Sequence, residues 1–280
     1  MPKTDATKVV IKGKQYHIHC GQGDLAKYVL MPGDPWRVDK VGELWDNFKP
    51  VARYREYFSI RGKYKGADIA CLSSGIGSPA LSIAFEESIR IGVETFIRIG
   101  TCGSIVKEIN CGDIIISSAA VRLDGASKDY VMTEYPAVAD FEVVLALIFA
   151  AQKLKIPYHL GITASTDTFY CGQGRPGFQN YQPSFKKNLL KDLQNAKVKN
   201  FEMETACLFT LANLYGKKAG SCCVVIANRV TNQFIINKEF EQRPALIASE
   251  AVRILTYWDR LKKKKKIKYV NLDIIKSLPL

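Results

Sequence analysis

The sequence predicts an α/β fold. Three observations carry the prediction. Apolar strand-like runs alternate with segments of helical period along the chain. Glycine turns follow several strand runs: Met31-Pro32-Gly33-Asp34-Pro35, Ser73-Ser74-Gly75-Ile76-Gly77 and Ile99-Gly100-Thr101-Cys102-Gly103-Ser104. No internal repeat or linker breaks the pattern, so the 280 residues read as one domain, 1–261, followed by a basic tail, 262–280.

Each element has a local cause. Tyr28–Met31 is a short buried strand closed by Pro32-Gly33, and Pro35 to Leu44 is a helix with Asp34 as N-cap and Pro35 at its first position. Tyr57–Arg61 and Ala67–Leu72 flank Gly62 and Gly66 and read as a hairpin. Pro79 to Arg90 sets Leu81, Ile83, Ala84 and Ile89 opposite Glu86, Glu87 and Arg90, the pattern of an amphipathic helix. Thr95–Ile99 and Asp113–Ala120 are strands, Phe141–Lys153 a helix and His159–Ala164 a strand. Ser165 to Pro183, rich in glycine, proline and aromatics, is a loop long enough to be functional. The expected order then runs helix Phe185–Asn195, strand Asn200–Met203, helix Glu204–Leu214, strand Ala219–Ala227 and a closing helix from Phe240 to about Lys265.

Composition excludes several classes. With 47% hydrophobic and 24% charged residues the chain is an ordinary globular protein, too apolar for disorder. No apolar run approaches the ~20 residues of a bilayer span, and Met1 to Lys14 lacks a signal-peptide core. The eight cysteines include no C-x-x-C pair and only three histidines accompany them, so no zinc site is expected. Free thiols inside apolar runs fit a reducing, cytoplasmic setting. The net charge of +13 invites a nucleic-acid reading. It is unevenly spread, however: seven lysines against Asp273 give residues 262–280 a charge of +6 and leave +7 on the body. No aromatics interleave with Lys262–Lys266, which reads as a solvated helix end. A moderately basic body suits a small anion, and neither nucleic acid nor membrane is an expected partner.

The chemistry concentrates near the glycine turns. Neither a P-loop nor a G-x-G-x-x-G fingerprint occurs, so ATP and NAD have no support. Arg37 lies four residues after Gly33, Arg55 sits in Tyr54-Arg55-Glu56, and Arg98 stands inside an apolar strand just before Gly100-Thr101. A buried arginine is costly without an anionic partner. Arg98 is therefore either in a structural ion pair or a clamp for phosphate or carboxylate. In Phe201-Glu202-Met203-Glu204, two carboxylates at a strand end either accept hydrogen bonds from sugar hydroxyls or simply start a helix.

Together these segments resemble the nucleoside phosphorylase family of the trimeric or hexameric type, and within it the uridine phosphorylases. The match rests on Pro32-Gly33-Asp34-Pro35-Trp36-Arg37, Arg98 to Gly103, Val121 to Ser127, Phe169 to Arg175, and Phe201 to Glu204, in family order from about residue 15 to 257. The resemblance implies a single-domain three-layer α/β/α sandwich with a central mixed, partly barrel-like sheet. It implies a phosphate site at Gly33, Arg37, Arg98 and Thr101, with Arg55 entering from a neighbouring subunit. Ribose would meet Glu202, Met203 and Glu204, with His17 from the neighbour; His19 is the other candidate, but His17 stands seven residues before Asp24, as the family's histidine does. The base would meet Cys102, Gly103, Phe169, Gln173, Arg175 and Ile226, with Arg98, Gln173 and Arg175 catalytic. Purine-specific members carry an acid where this chain has Asn228, and the pyrimidine pair Gln173 and Arg175 is present. The expected activity is phosphorolysis of uridine to uracil and ribose 1-phosphate in pyrimidine salvage, with thymidine and deoxyuridine as further candidate substrates and purine nucleosides as the alternative. Inorganic phosphate is the co-substrate and no cofactor is expected. The implied assembly is a homohexamer, a trimer of dimers with shared sites. A monovalent-cation site at Glu56 and Ile76 is doubtful, because Ala80 replaces a serine.

Overall fold

A computed structural model supplies the fold and describes residue 7 and residues 9–278. A small hairpin, β1 (Val10–Ile11) with β2 (Lys14–Gln15), precedes the main sheet. The sheet is built from β3 (Tyr28–Met31), β4 (Asn47–Tyr54), β5 (Tyr57–Tyr64), β6 (Ala67–Leu72), β7 (Thr95–Ser104), β8 (Ile114–Leu123), β9 (Ala137–Val138), β10 (Tyr158–Thr166), β11 (Asn200–Glu202), β12 (Lys218–Asn228) and β13 (Gln233–Phe234). The helices are α1 (Trp36–Gly42), α2 (Ser78–Arg90), α3 (Ala126–Tyr130), α4 (Phe141–Lys153), α5 (Leu189–Asn195), α6 (Thr205–Leu214), α7 (Lys238–Lys265) and α8 (Leu272–Lys276).

The sheet is mixed and closes on itself over part of its width. Strands β12, β8, β10, β11 and β7 form a five-membered ring, because β12 pairs with both β8 and β7. From β7 the sheet continues through β3, β6, β5 and β4. Helices cover both faces. On one, Val38 and Val41 of α1, Leu147 of α4, Trp258 of α7 and Ile274 of α8 share a core. On the other, Leu81 and Phe85 of α2 pack with Leu208 and Leu211 of α6. Cys102, Ile115, Cys223 and Val225 form a smaller apolar cluster of ring strands. This is the three-layer sandwich with a partly barrel-like sheet.

One change of strand partner opens the site. One edge of β7 pairs with β3 up to Arg98, opposite Met31, and with β11 from Gly103, opposite Phe201. Residues 99–102 have no strand partner on that edge among the described residues. The backbone polar groups of a strand segment left this way are available to a ligand.

Several elements depart from expectation. Strands β7, β8 and β10 run two to five residues further, because pairing around the ring continues past their apolar stretches. The expected helix Phe185–Asn195 begins only at Leu189: Phe185 is 83% exposed, and a short 3₁₀ turn, Ser184–Lys186, precedes it. The tail is not a solvated appendage. Lys262 is buried, its Nζ 2.6 Å from Glu142 and 2.8 Å from Asp259, and the Val270 amide donates to Glu142 at 2.8 Å. Ile274 is fully buried and Leu278 nearly so. The lysine run concealed an apolar spacing, Ile267, Val270, Ile274 and Leu278, that returns to the core of α4 and α7.

Candidate functional site

A cleft of about 460 Å³ opens beside the unpaired edge of β7, within the size range of small-molecule sites. Gly33, Arg37, Arg98, Thr101, Cys102 and Gly103 line it from the β3–α1 turn and from β7. Phe169, Gln173 and Arg175 reach it from the long loop, Met203 and Glu204 from the β11–α6 junction, and Ile226 from β12.

Arg98 organises one wall. Its side chain is buried, Nε donates to Glu202 Oε2 at 2.7 Å, and Nη2 pairs with Glu204. Burial works against its charge, but Glu204 and Glu202 overcome that and raise the pKa further above its ordinary value. Nη1 is buried and has no hydrogen-bond partner. The ion-pair reading of Arg98 is met at two of its nitrogens, Nε and Nη2, while Nη1 is left without a partner on a residue that lines the cleft. Gly100 makes the arrangement possible. A Cβ there would lie 2.9 Å from Arg98 Nη2 and 3.2 Å from Cys223 Sγ.

The two carboxylates divide their roles. Glu202 Oε1 accepts from Ser165 Oγ and Thr205 N, and Oε2 accepts from Arg98 Nε, Glu204 N at 2.8 Å and Thr205 N at 3.0 Å. Through these bonds Glu202 anchors Arg98 and the start of α6, and it lines the cleft beside Met203 and Glu204. Glu204 accepts the Gly77 amide at 2.5 Å and meets Arg98. Ser78 Oγ donates to the Met203 carbonyl at 3.2 Å, which ties the β11–α6 turn to the start of α2.

The opposite wall is a short loop held by arginines. Gln173 is buried, and its Oε1 accepts from Arg175 Nη1. The same Nη1 donates to the Phe169 carbonyl at 2.9 Å, and the guanidinium lies 4.0 Å from the Phe169 ring centre. Burial, with Arg229's charge beside it, pulls Arg175 down to about 10, so it is a charged group poorly compensated in this state. Arg229, which sequence reasoning did not single out, donates to the Gln173 carbonyl at 2.9 Å. Its signal was position alone, one residue past Asn228. Asn228 itself is absent from the cleft lining. Its Nδ2 donates to Val106 and Ile109 carbonyls at 2.9 and 2.7 Å, and its Oδ1 accepts from Val230 and Thr231 amides at 2.9 and 3.0 Å.

Arg37 faces Glu241 of α7 at 3.3 Å, at the rim of the cleft. Arg55 and His17 lie outside the lining. They share a patch elsewhere: the Arg55 guanidinium sits 5.7 Å from the Tyr16 ring and 5.4 Å from Tyr54, and Tyr16 meets His17 edge-on at 4.8 Å. His19 stacks on Tyr54 at 4.0 Å. At the doubtful cation site, Ile76 also lines the cleft. The Glu56 stem and the Ala80 methyl approach Gly75 from the same side, and the Ala80 carbonyl accepts from Tyr57 Oη at 3.0 Å. No group of His, Cys, Asp and Glu among the described residues forms a metal site. All eight cysteines are free, and no helix among the described residues is long and apolar enough to cross a membrane.

Comparison with known proteins adds the following. The family model described as the phosphorylase superfamily matches residues 27–256. The chain is 58% identical to the uridine phosphorylase of Thermococcus kodakarensis, over 90% of this chain and 91% of that one. It is 40% identical to the uridine phosphorylase of Escherichia coli, over 87% and 99%. It is also 37% identical to a guanosine phosphorylase of Halorubrum lacusprofundi, over 78% and 85%.

Proposed function

The chain belongs to the phosphorylase superfamily, and from that membership we propose that it catalyses the reversible phosphorolysis of uridine to uracil and ribose 1-phosphate, a pentosyl transfer. The observation that carries the site assignment is the spare buried Nη1 of Arg98 at the cleft wall. A buried cationic donor without a partner is costly. Phosphate satisfies it and adds charge neutralisation.

In this reading phosphate sits against Arg98, the Gly33 turn, Arg37 and Thr101, with Arg55 from a neighbouring copy closing the pocket. For Arg37 to engage it, its contact with Glu241 must loosen. Ribose lies over Met203 and Glu204, and His17 of the neighbour meets a hydroxyl. The uracil ring lies against Phe169 and is lined by Cys102, Gly103 and Ile226. Gln173 Oε1 has a second lone pair for the ring N–H, and its Nε2 can donate to a carbonyl.

Cleavage of the glycosidic bond leaves charge on the uracil carbonyls. Arg175, disfavoured as a cation by burial and by Arg229, gains most from that developing negative charge. An interaction stronger in the transition state than in the ground state is one that accelerates the reaction. Phosphate attacks the anomeric carbon from the opposite face, inverts it, and stabilises the cationic sugar. The remaining contribution is positioning. Shared sites imply a homo-oligomer, with the hexamer as the expected form, and the activity belongs to pyrimidine salvage in the cytoplasm.

The Gln173–Arg175 pair and the lack of an acid at Asn228 favour a pyrimidine over a purine base. The test is phosphate-dependent release of base from uridine, thymidine, deoxyuridine, inosine and guanosine. Uridine should turn over fastest and inosine and guanosine negligibly. Arg98→Ala should lower kcat/KM by at least ~10²-fold, as for loss of a preorganised charge contact. A near-wild-type rate would sink the phosphate assignment.

A further inference from the structure

Glu87 is the buried group that the site described so far does not use. It lies on α2, one turn before the helix ends, and is 6% exposed. One oxygen, Oε1, lies 2.7 Å from His17 Nδ1. The other, Oε2, accepts the His17 amide at 3.0 Å and the Ile18 amide at 2.8 Å. A single carboxylate thus holds both the backbone and the ring of the same residue. The adjoining Tyr16 and Tyr57 rings stand edge-on to the imidazole at 4.8 and 6.5 Å.

We propose that Glu87 is a positioning residue for nucleoside binding, which fixes His17 as its Nδ1–H tautomer and so presents Nε2 as a hydrogen-bond acceptor for a ribose hydroxyl. The proposal rests on the reading that His17 serves a neighbour's ribose site. The chemistry follows from the partner. A carboxylate accepts only, so the Nδ1 it faces carries the proton. In the neutral ring Nε2 then has a lone pair and no hydrogen, which suits an alcohol O–H as donor. The neutral imidazole without Glu87 would divide between tautomers, and the Nε2–H form would turn a donor toward the hydroxyl. The ring is also restrained before substrate arrives, which lowers the ordering cost of binding. The arrangement parallels the outer-shell carboxylates that orient metal-bound imidazoles, with a sugar hydroxyl in place of the metal.

The test is steady-state kinetics on the full-length protein with Glu87→Gln, His17→Ala and the double variant, using uridine and its 2′-, 3′- and 5′-deoxy analogues. Glu87→Gln preserves an acceptor for the backbone amides but turns its NH2 toward Nδ1, a donor that favours the opposite, Nε2–H, tautomer. It should raise KM for uridine several-fold, with kcat and KM for phosphate within twofold of wild type. The rise should disappear for one of the three deoxy analogues, and adding Glu87→Gln to His17→Ala should change nothing further. Glu87→Asp, which retains the carboxylate, should restore part of the loss. If His17→Ala binds uridine normally, the ribose role of His17 is wrong and the proposal is overturned with it. If His17→Ala is impaired but Glu87→Gln is silent, or the two effects add, the positioning role alone is overturned and the His17 reading stands.

Discussion

At the scale of single residues, the fold groups its buried charges into sets, and each set makes a measurable prediction. Arg98, Glu202 and Glu204 form one set around the cleft. Glu202→Ala removes one counter-charge and leaves the Glu204 and Thr205 amides without that acceptor. It should cost about 3 kcal/mol of stability, read as a lower urea midpoint at unchanged m-value; a loss below about 1 kcal/mol would show the set to be redundant. Glu250 forms another set. Burial would raise its pKa, but hydrogen bonds from Arg253 and Lys65 hold it down to about 2, against an ordinary 4.5. A depressed folded value means stability that is complete above pH 4.5 and lost as pH falls toward 2. That window should carry about 2–3 kcal/mol, and Glu250→Gln should flatten the acid limb of a stability–pH curve. The sequence announced Arg98, because an arginine in an apolar strand demands a partner, and it announced the carboxylates. It did not announce what else holds Glu202: Ser165 Oγ donates to it from a strand 37 residues away, and no local pattern encodes that contact.

At the scale of elements, apolar period and turn residues located most strands and helices, because these signals are local. The ends were less legible. Strand β7 continues to Ser104 through glycines and a threonine that read as a turn, since ring closure by β12 supplies pairing no local propensity would. The hairpin strand β4 carries Pro50 and a bulge after it, which hid its extended character. The C-terminal segment was misread for a related reason: charge outweighed a sparse apolar spacing. Truncation after Leu261 should therefore destabilise the protein. It removes Lys262 from Glu142 and uncovers the core under Ile274. The expected loss is about 2–4 kcal/mol from the deleted apolar burial and the unpaired carboxylate, measured as a fall in Tm of several degrees. An unchanged Tm would restore the picture of a passive tail.

At the scale of the whole molecule, the cleft lining does not include the Arg55–His17 patch, and the proposed site needs both. The proposal therefore requires a pair of copies in which each patch meets the other copy's cleft. Complementation tests this directly. Arg98→Ala and Arg55→Ala should each be inactive alone; mixed and reassembled, they should recover roughly a quarter of wild-type activity, since only mixed pairs contain one intact site. No recovery in a mixture shown to exchange subunits would show that Arg55 does not serve the other copy's site. The family resemblance is what implies this division of labour. Composition and spacing alone would have left Arg55 and His17 as surface residues.

The ring of strands also sets a timetable for synthesis. Arg98 emerges from the ribosome 104 residues before Glu202, and the strand that closes the ring, β12, ends at Asn228. Until Glu202 is made, the nascent chain holds a guanidinium destined for burial with neither carboxylate to pair it. The Arg98 strand must wait with one edge uncovered, the condition under which growing chains are most prone to misassociate.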